Sequence, residues 1–270
     1  MTIKLIKLIK NEFIKMIYEK KFYVLLVTII TMLIATLYIY MAMKNYAIAD
    51  SIEAQKYSVE WKEQLKNMNS IIFLDNYSTS FIFKSGIPFF LIFVTIFAVD
   101  CFGEDFYSGN LKFFANLDTR GESLFKAKVV YLIIFSLIIV IINLVLGFIS
   151  SSIVFHIKFQ GIFRSLIIYL SSILPIVSFN LIVGLISMFI RNRALRTVVG
   201  VGLCISVGIL DKIVKVDYFS PIGIISIIAS KQVENIKFID LAICNSISLI
   251  YFILAFFIGK IIFKKIEYKY

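Results

Sequence analysis

Residues Phe22–Met43, FYVLLVTIITMLIATLYIYMAM, run for twenty-two positions without a charge. A helix rises ~1.5 Å per residue, so this run can cross the ~30 Å hydrocarbon layer of a bilayer. Comparable runs recur at Phe81–Phe102, Val129–Phe155, Ser165–Ile190, Thr197–Val216 and Ile239–Phe263. A soluble chain of 270 residues has no interior for six such segments. The hydrophobic share is 60%, against roughly 45–50% in soluble domains. In hydrocarbon the backbone must satisfy its own hydrogen bonds, and no period-2 alternation marks a barrel, so each run is expected to be helical. The expected fold is an all-α membrane protein with six transmembrane helices, preceded by an interfacial amphipathic helix.

Lysine and arginine set the expected orientation. With the N-terminus inside, the inner segments are 1–21, 103–128, 191–196 and 260–270; they hold 17 basic and 7 acidic residues. The outer segments hold 10 basic and 9 acidic residues. Lys84 and Asp100 lie near the ends of the second run and cancel. The net charge of +11 is therefore a one-sided excess, as cytoplasmic loops carry it. It is not the basic face of a folded nucleic-acid-binding domain, and no nucleic-acid partner is expected. Both termini are expected in the cytoplasm of a plasma membrane, in a bacterial cell.

Residues 1–21 place Ile6, Ile9, Phe13, Met16 and Ile17 at helical spacing, with Lys4, Lys7, Asn11 and Lys15 on another face. Such a helix lies in the interface with its lysines on anionic lipid headgroups. It serves as an anchor before the first span or as a lever toward a cytoplasmic partner. Its long charged stretch and the absence of a small-residue cleavage site distinguish it from a signal peptide. The outer loop 44–80 can form a short helix capped by Asp50 or Ser51, with Lys56 and Glu60 four apart and Trp61 at the interface. Ile222–Ala229, after Pro221, is too short to cross, so 218–230 reads as a re-entrant or interfacial outer segment. Residues 264–270 form a cytoplasmic tail.

No GxxxxGK[ST] loop, HExxH or CxxC pair is present, and no nucleophile stands beside a base. The chain does not read as an enzyme or as a metal or cofactor protein. Cys101, Cys204 and Cys244 read as small apolar fillers, and the lone His156 as an interface residue. Asn143 and Asn180 lie near the centres of the third and fourth runs; there an amide needs a partner, across a helix interface or along a pathway. Lys84 can snorkel outward. Pro88 and Pro175 are expected to kink their helices, and Gly184, Gly200 and Gly202 to permit close helix approach.

The connector 103–128, FGEDFYSGNLKFFANLDTRGESLFKAK with Phe102, is too apolar for a plain solvated loop. Phe106, Leu111, Phe113, Phe114 and Leu117 fit a short amphipathic helix, opened by Glu104 and Asp105 at its N-terminus and closed by Arg120 and Lys126. Gly109 can bend it. Such a face wants a membrane surface or a protein groove. The order Glu104, Gly109-Asn110-Leu111, Asp118-Thr119-Arg120 and Lys126-Ala127-Lys128 resembles the conserved segment of ABC-2 type permeases. Asp118-Thr119 stands where proline-serine is common. The basic N-terminal helix, the long first outer loop and Ser220-Pro221 before the last span agree in layout.

The resemblance implies an ABC-2 (type V exporter-like) architecture, with 103–128 as a coupling helix seated on a separate ATPase. Glu104, Asp105, Phe106, Gly109, Leu111, Phe113, Phe114, Leu117 and Arg120 would make that contact. Two ATPase subunits would bind the ATP and magnesium, and a second permease, identical or paralogous, would complete the pathway. The cargo class implied is amphipathic or lipophilic, an antimicrobial peptide or antibiotic, exported for self-protection. The competing reading is a non-transporting scaffold or sensor that docks a cytoplasmic protein through the same segment.

Overall fold

A computed structural model describes residues 2–18, 20–49, 58–78, 89–107, 121–214, 219–223, 227 and 236–267. Within these the chain forms ten helices: α1 (Thr2–Tyr18), α2 (Lys21–Ile48), α3 (Val59–Lys66), α4 (Ser70–Tyr77), α5 (Phe89–Tyr107), α6 (Gly121–Val154), α7 (Ile162–Ser171), α8 (Ile173–Ser187), α9 (Arg193–Val214) and α10 (Phe238–Glu267). Five segments are long and apolar enough to cross a membrane: α2, α6, α7 with α8, most of α9, and α10. The second sequence run falls short of that class among the described residues. α5 starts at Phe89 and carries Asp100, Glu104 and Asp105 in its last eight positions, while 81–88, with Lys84 and Pro88, lie outside the description.

The outer surface of the bundle is oily. On α2, Leu25, Ile29, Leu33 and Leu37 are buried at four-residue spacing, whereas Val24, Val27, Ile34 and Tyr38 are each more than half exposed. Ile239, Ile250, Leu254 and Phe257 on α10 do the same. Soluble monomers rarely expose apolar patches beyond a few hundred Å², so this surface belongs in lipid. α8 is the hub: it packs on α5, α6, α9 and α10, and Ile176 through Leu181 are buried without a break. A Cβ on Gly184 would fall 2.6 Å from the Phe102 ring, and one on Gly200 2.8 Å from Val99 Cγ2, so both let neighbouring helices close up. Gly202 departs from the expectation: nothing lies within 4 Å of its Cβ position, and it makes no close approach.

The fourth run is one crossing segment, Ile162–Ser187, interrupted close to its proline. The break falls at Ser172, between α7 and α8. Pro175 occupies the first turn of α8, where its missing N–H costs nothing, and its ring excludes the carbonyl arrangement that would continue α7. Ser172 Oγ donates to the Tyr169 carbonyl at 2.6 Å and satisfies part of the broken turn. α8 stops at Ser187, and α9 starts at Arg193 with Asn192 Oδ1 accepting from Leu195 N at 3.2 Å. The expected inner loop 191–196 is thus largely helix. α6 likewise starts eight residues before the expected span boundary at Val129.

At the end of the bundle away from α1, the loop helix α3 opens at Ser58, whose Oγ accepts from Trp61 N at 3.3 Å; the expected caps Asp50 and Ser51 lie outside the described residues. Lys56 lies outside the described residues. Trp61 meets Tyr40 edge-on at 6.3 Å. A second loop helix, α4, was not legible as such: Asn69 Oδ1 caps it by accepting from Ile71 N and Ile72 N, and Phe73 and Leu74 are fully buried. Ser70 N donates to the His156 carbonyl, so α4 is tied to the turn after α6. Residues 219–223 lie along α10, with Ser248 Oγ donating to the Pro221 carbonyl at 3.0 Å and Tyr251 Oη to the Phe219 carbonyl at 3.1 Å.

Candidate functional site: the charged end of the bundle

Six helix ends meet opposite α3 and α4. They are the end of α1, the start of α2, the end of α5, and the starts of α6 and α9, with the last turns of α10 alongside. The reason lies in the sequence: each apolar run is flanked on this side by charge, and the helices alternate in direction. The segments carrying the basic excess are therefore neighbours in space.

α1 presents three faces, not two. Leu8, Glu12 and Met16, at four-residue spacing, turn into the protein and are buried. Phe13 meets Tyr131 of α6 at 4.9 Å, edge-on. Ile6 and Ile17 remain exposed at 62% and 45%, on the flank that would meet lipid. The polar face completes the circle. The expected single apolar stripe is thus divided, because a carboxylate inside it is matched by a buried ammonium. Lys128 of α6 is fully buried; its Nζ lies 3.4 Å from Glu12 Oε1 and donates to the Cys101 carbonyl. Lys15 Nζ stands 3.5 Å from the same carboxylate. Cys101 Sγ donates to Glu12 Oε2 at 3.8 Å, so this cysteine is a polar contact and not the apolar filler expected; Cys204 and Cys244 are buried.

A second group adjoins the first. Lys21 Nζ is 2.5 Å from Asp100 Oδ2; Arg193 lies 3.5 Å from Asp100 Oδ1 and 3.5 Å from Glu104 Oε1. Glu104 was expected to open the connector helix. It instead sits near the C-terminal end of α5, where the helix dipole disfavours an anion. Arg193 offsets that cost. Arg196 is 4% exposed and lies across Gly103, where a Cβ would clash with Arg196 Nη1. A cavity of about 30 Å³, enough for a water or two, is lined by Glu12, Lys15, Lys21, Asp100, Cys101 and Glu104. On the α6 side, Glu122 lies 2.7 Å from Lys126 and 3.2 Å from Lys260 of α10.

The connector is thereby framed. Residues 103–107 end α5, and 121–128 begin α6. Asp105 and Phe106 belong to the last turn of α5, while Gly109, Leu111, Phe113, Phe114, Leu117 and Arg120 lie outside the described residues. The two ends of the 103–128 segment thus belong to α5 and α6, and the short helix expected between them lies outside the described residues. Among the sequence-proposed residues whose side chains are described, Glu104 joins the charged cluster. Glu12, Lys21, Asp100, Lys128, Arg193 and Arg196 were missed; the signal was Glu12 at four-residue spacing between Leu8 and Met16.

Asn143 and Asn180 are both buried, but neither amide donates across helices: Asn143 Nδ2 bonds the Ile139 carbonyl at 3.0 Å and Asn180 Nδ2 the Ile176 carbonyl at 2.8 Å. Four-residue back-bonding is available in any helix, so it competes with the expected interhelical pairing. Asn180 Oδ1 accepts no hydrogen bond among the described residues. Asn143 borders a small apolar recess with Met32, Phe93 and Tyr77, whose phenol burial pushes above the ordinary tyrosine range. Among the described residues no cluster of histidine, cysteine or carboxylate suits a metal ion.

The cluster can hold helix ends in one relation to each other. Comparison with protein-family models, curated proteins and solved structures finds no match.

Proposed function

We propose that this chain is the membrane subunit of an ATP-driven exporter, crossing the bilayer six times with both termini and the connector 108–120 in the cytoplasm of a bacterial cell. A separate nucleotide-binding subunit grips the connector through Phe113, Phe114, Leu117 and Arg120, and a second permease completes the pathway. The cargo is amphipathic or lipophilic, in the class of antimicrobial peptides and antibiotics.

The frame around the connector supports this reading above any other observation. Its exit is clamped by the Glu104–Arg193 contact and its return by Glu122 with Lys126 and Lys260. A displacement of 108–120 is thereby delivered to α5, α6, α9 and α10 together. An exporter needs that coupling, because a ligand shifts a conformational equilibrium only through contacts that differ between its states. The apolar flanks of the bundle suit a membrane-dissolved cargo better than a small ion.

The test is affinity capture from the native host. The full chain should retain a nucleotide-binding subunit, and Phe113→Asp or Arg120→Glu should abolish that retention while leaving helix content and elution volume unchanged. Capture that survives both substitutions, or capture of cytosolic proteins without a nucleotide-binding subunit, removes the exporter reading and leaves a scaffold. For the cargo, co-expression with the captured ATPase should raise resistance to at least one class of membrane-active peptide in killing curves.

A further inference from the structure

α8 and α10 pack together more extensively than any other pair, yet their outer seam opens into a groove of about 370 Å³. The groove lies within the volume range of small-molecule sites, ~300–1,000 Å³. Its walls are apolar: Ile182 and Leu185 on α8 with Phe189 just beyond its end, and Leu254, Ile258 and Ile262 on α10. Leu254, Ile258 and Phe189 are 55%, 53% and 72% exposed, so the groove faces outward.

Its length and its two ends identify what fits. Tyr251 to Ile262 is eleven residues, about 16 Å along the helix. That is one leaflet of a ~30 Å hydrocarbon layer. At the deep end the Tyr251 side chain borders the groove and its hydroxyl is bonded to the Phe219 carbonyl. At the other end both walls run into exposed cations. Lys265 continues the Leu254–Ile258–Ile262 stripe one turn further, and Arg191 follows Phe189 by two residues. A single hydrocarbon chain with an anionic head matches the apolar walls, the depth and the basic mouth.

We propose that this groove binds one acyl chain of an anionic phospholipid whose headgroup is held by Arg191 and Lys265. The site requires only that α8 and α10 lie in lipid and is independent of the exporter reading.

The test uses the purified full chain in detergent, with dioleoyl phosphatidylglycerol and dioleoyl phosphatidylcholine added in equal amounts and bound lipid read by native mass spectrometry. The unmodified protein should retain phosphatidylglycerol preferentially. Arg191→Gln with Lys265→Gln changes only exposed groups and should lower that preference by about fivefold per charge removed. Leu254→Trp fills the groove and should lower retention of both lipids. Lys66→Gln with Lys158→Gln, exposed at the opposite end of the bundle, should leave the preference intact. A preference that survives the Arg191/Lys265 change, or that vanishes with the Lys66/Lys158 change, overturns the proposal. So does a Leu254→Trp variant that retains both lipids but breaks up a dimer, since the groove would then be a subunit interface.

Discussion

Lys128 and Glu12 form the most exacting contact in the molecule. Both lie within the protein, the ammonium fully buried and the carboxylate 5% exposed. A buried pair is a weak source of net stability, because desolvation offsets the attraction, but removing one partner costs ~3–5 kcal/mol. Glu12→Ala should therefore release α1: trypsin should cut between Lys4 and Lys21, and the melting temperature in detergent should fall. Glu12→Leu together with Lys128→Met should restore most of the lost stability, since two apolar side chains of similar size carry no stranded charge. A double variant as labile as the single one would show that the contact matters through something other than charge.

Among the helices, closeness of approach is uneven, and two glycines separate it. Gly184→Ala puts a methyl into the Phe102 ring and should cost ~1–3 kcal/mol, as overpacked cores do. Gly202→Ala meets open space and should raise stability by up to ~1 kcal/mol through helix propensity. Thermal unfolding in one detergent compares the two directly. The same contrast bounds what the amino-acid order discloses. Glycine reports that a backbone can be approached, not that it is. Long apolar runs disclosed the spanning helices, since length against bilayer thickness is a local property. The division of the fourth run at Ser172, the cap at Asn69 and the placement of Glu104 near the end of α5 depend on neighbours far along the chain, which periodicity does not reveal. Both span asparagines were recognisable as buried, but their choice of a carbonyl in their own helix was not. Most of the connector residues singled out in the sequence fall outside the described residues and stand as proposals.

For the whole molecule, the decisive quantity is sidedness. In a background with Cys101→Ser, Cys204→Ala and Cys244→Ala, an impermeant maleimide should label Glu63→Cys in intact cells and Phe113→Cys only after permeabilisation. The opposite pattern inverts the molecule and removes the exporter reading. The architecture also bears on biosynthesis. Lys128 follows Glu12 by 116 residues. At ~5–20 residues per second, a ribosome needs roughly 6 to 23 s to supply it. Through that interval the Glu12 carboxylate has Lys15 beside it, but its buried cation is still unsynthesised. α1 cannot close on that cation until α6 emerges, so the contact made by an early helix is completed late.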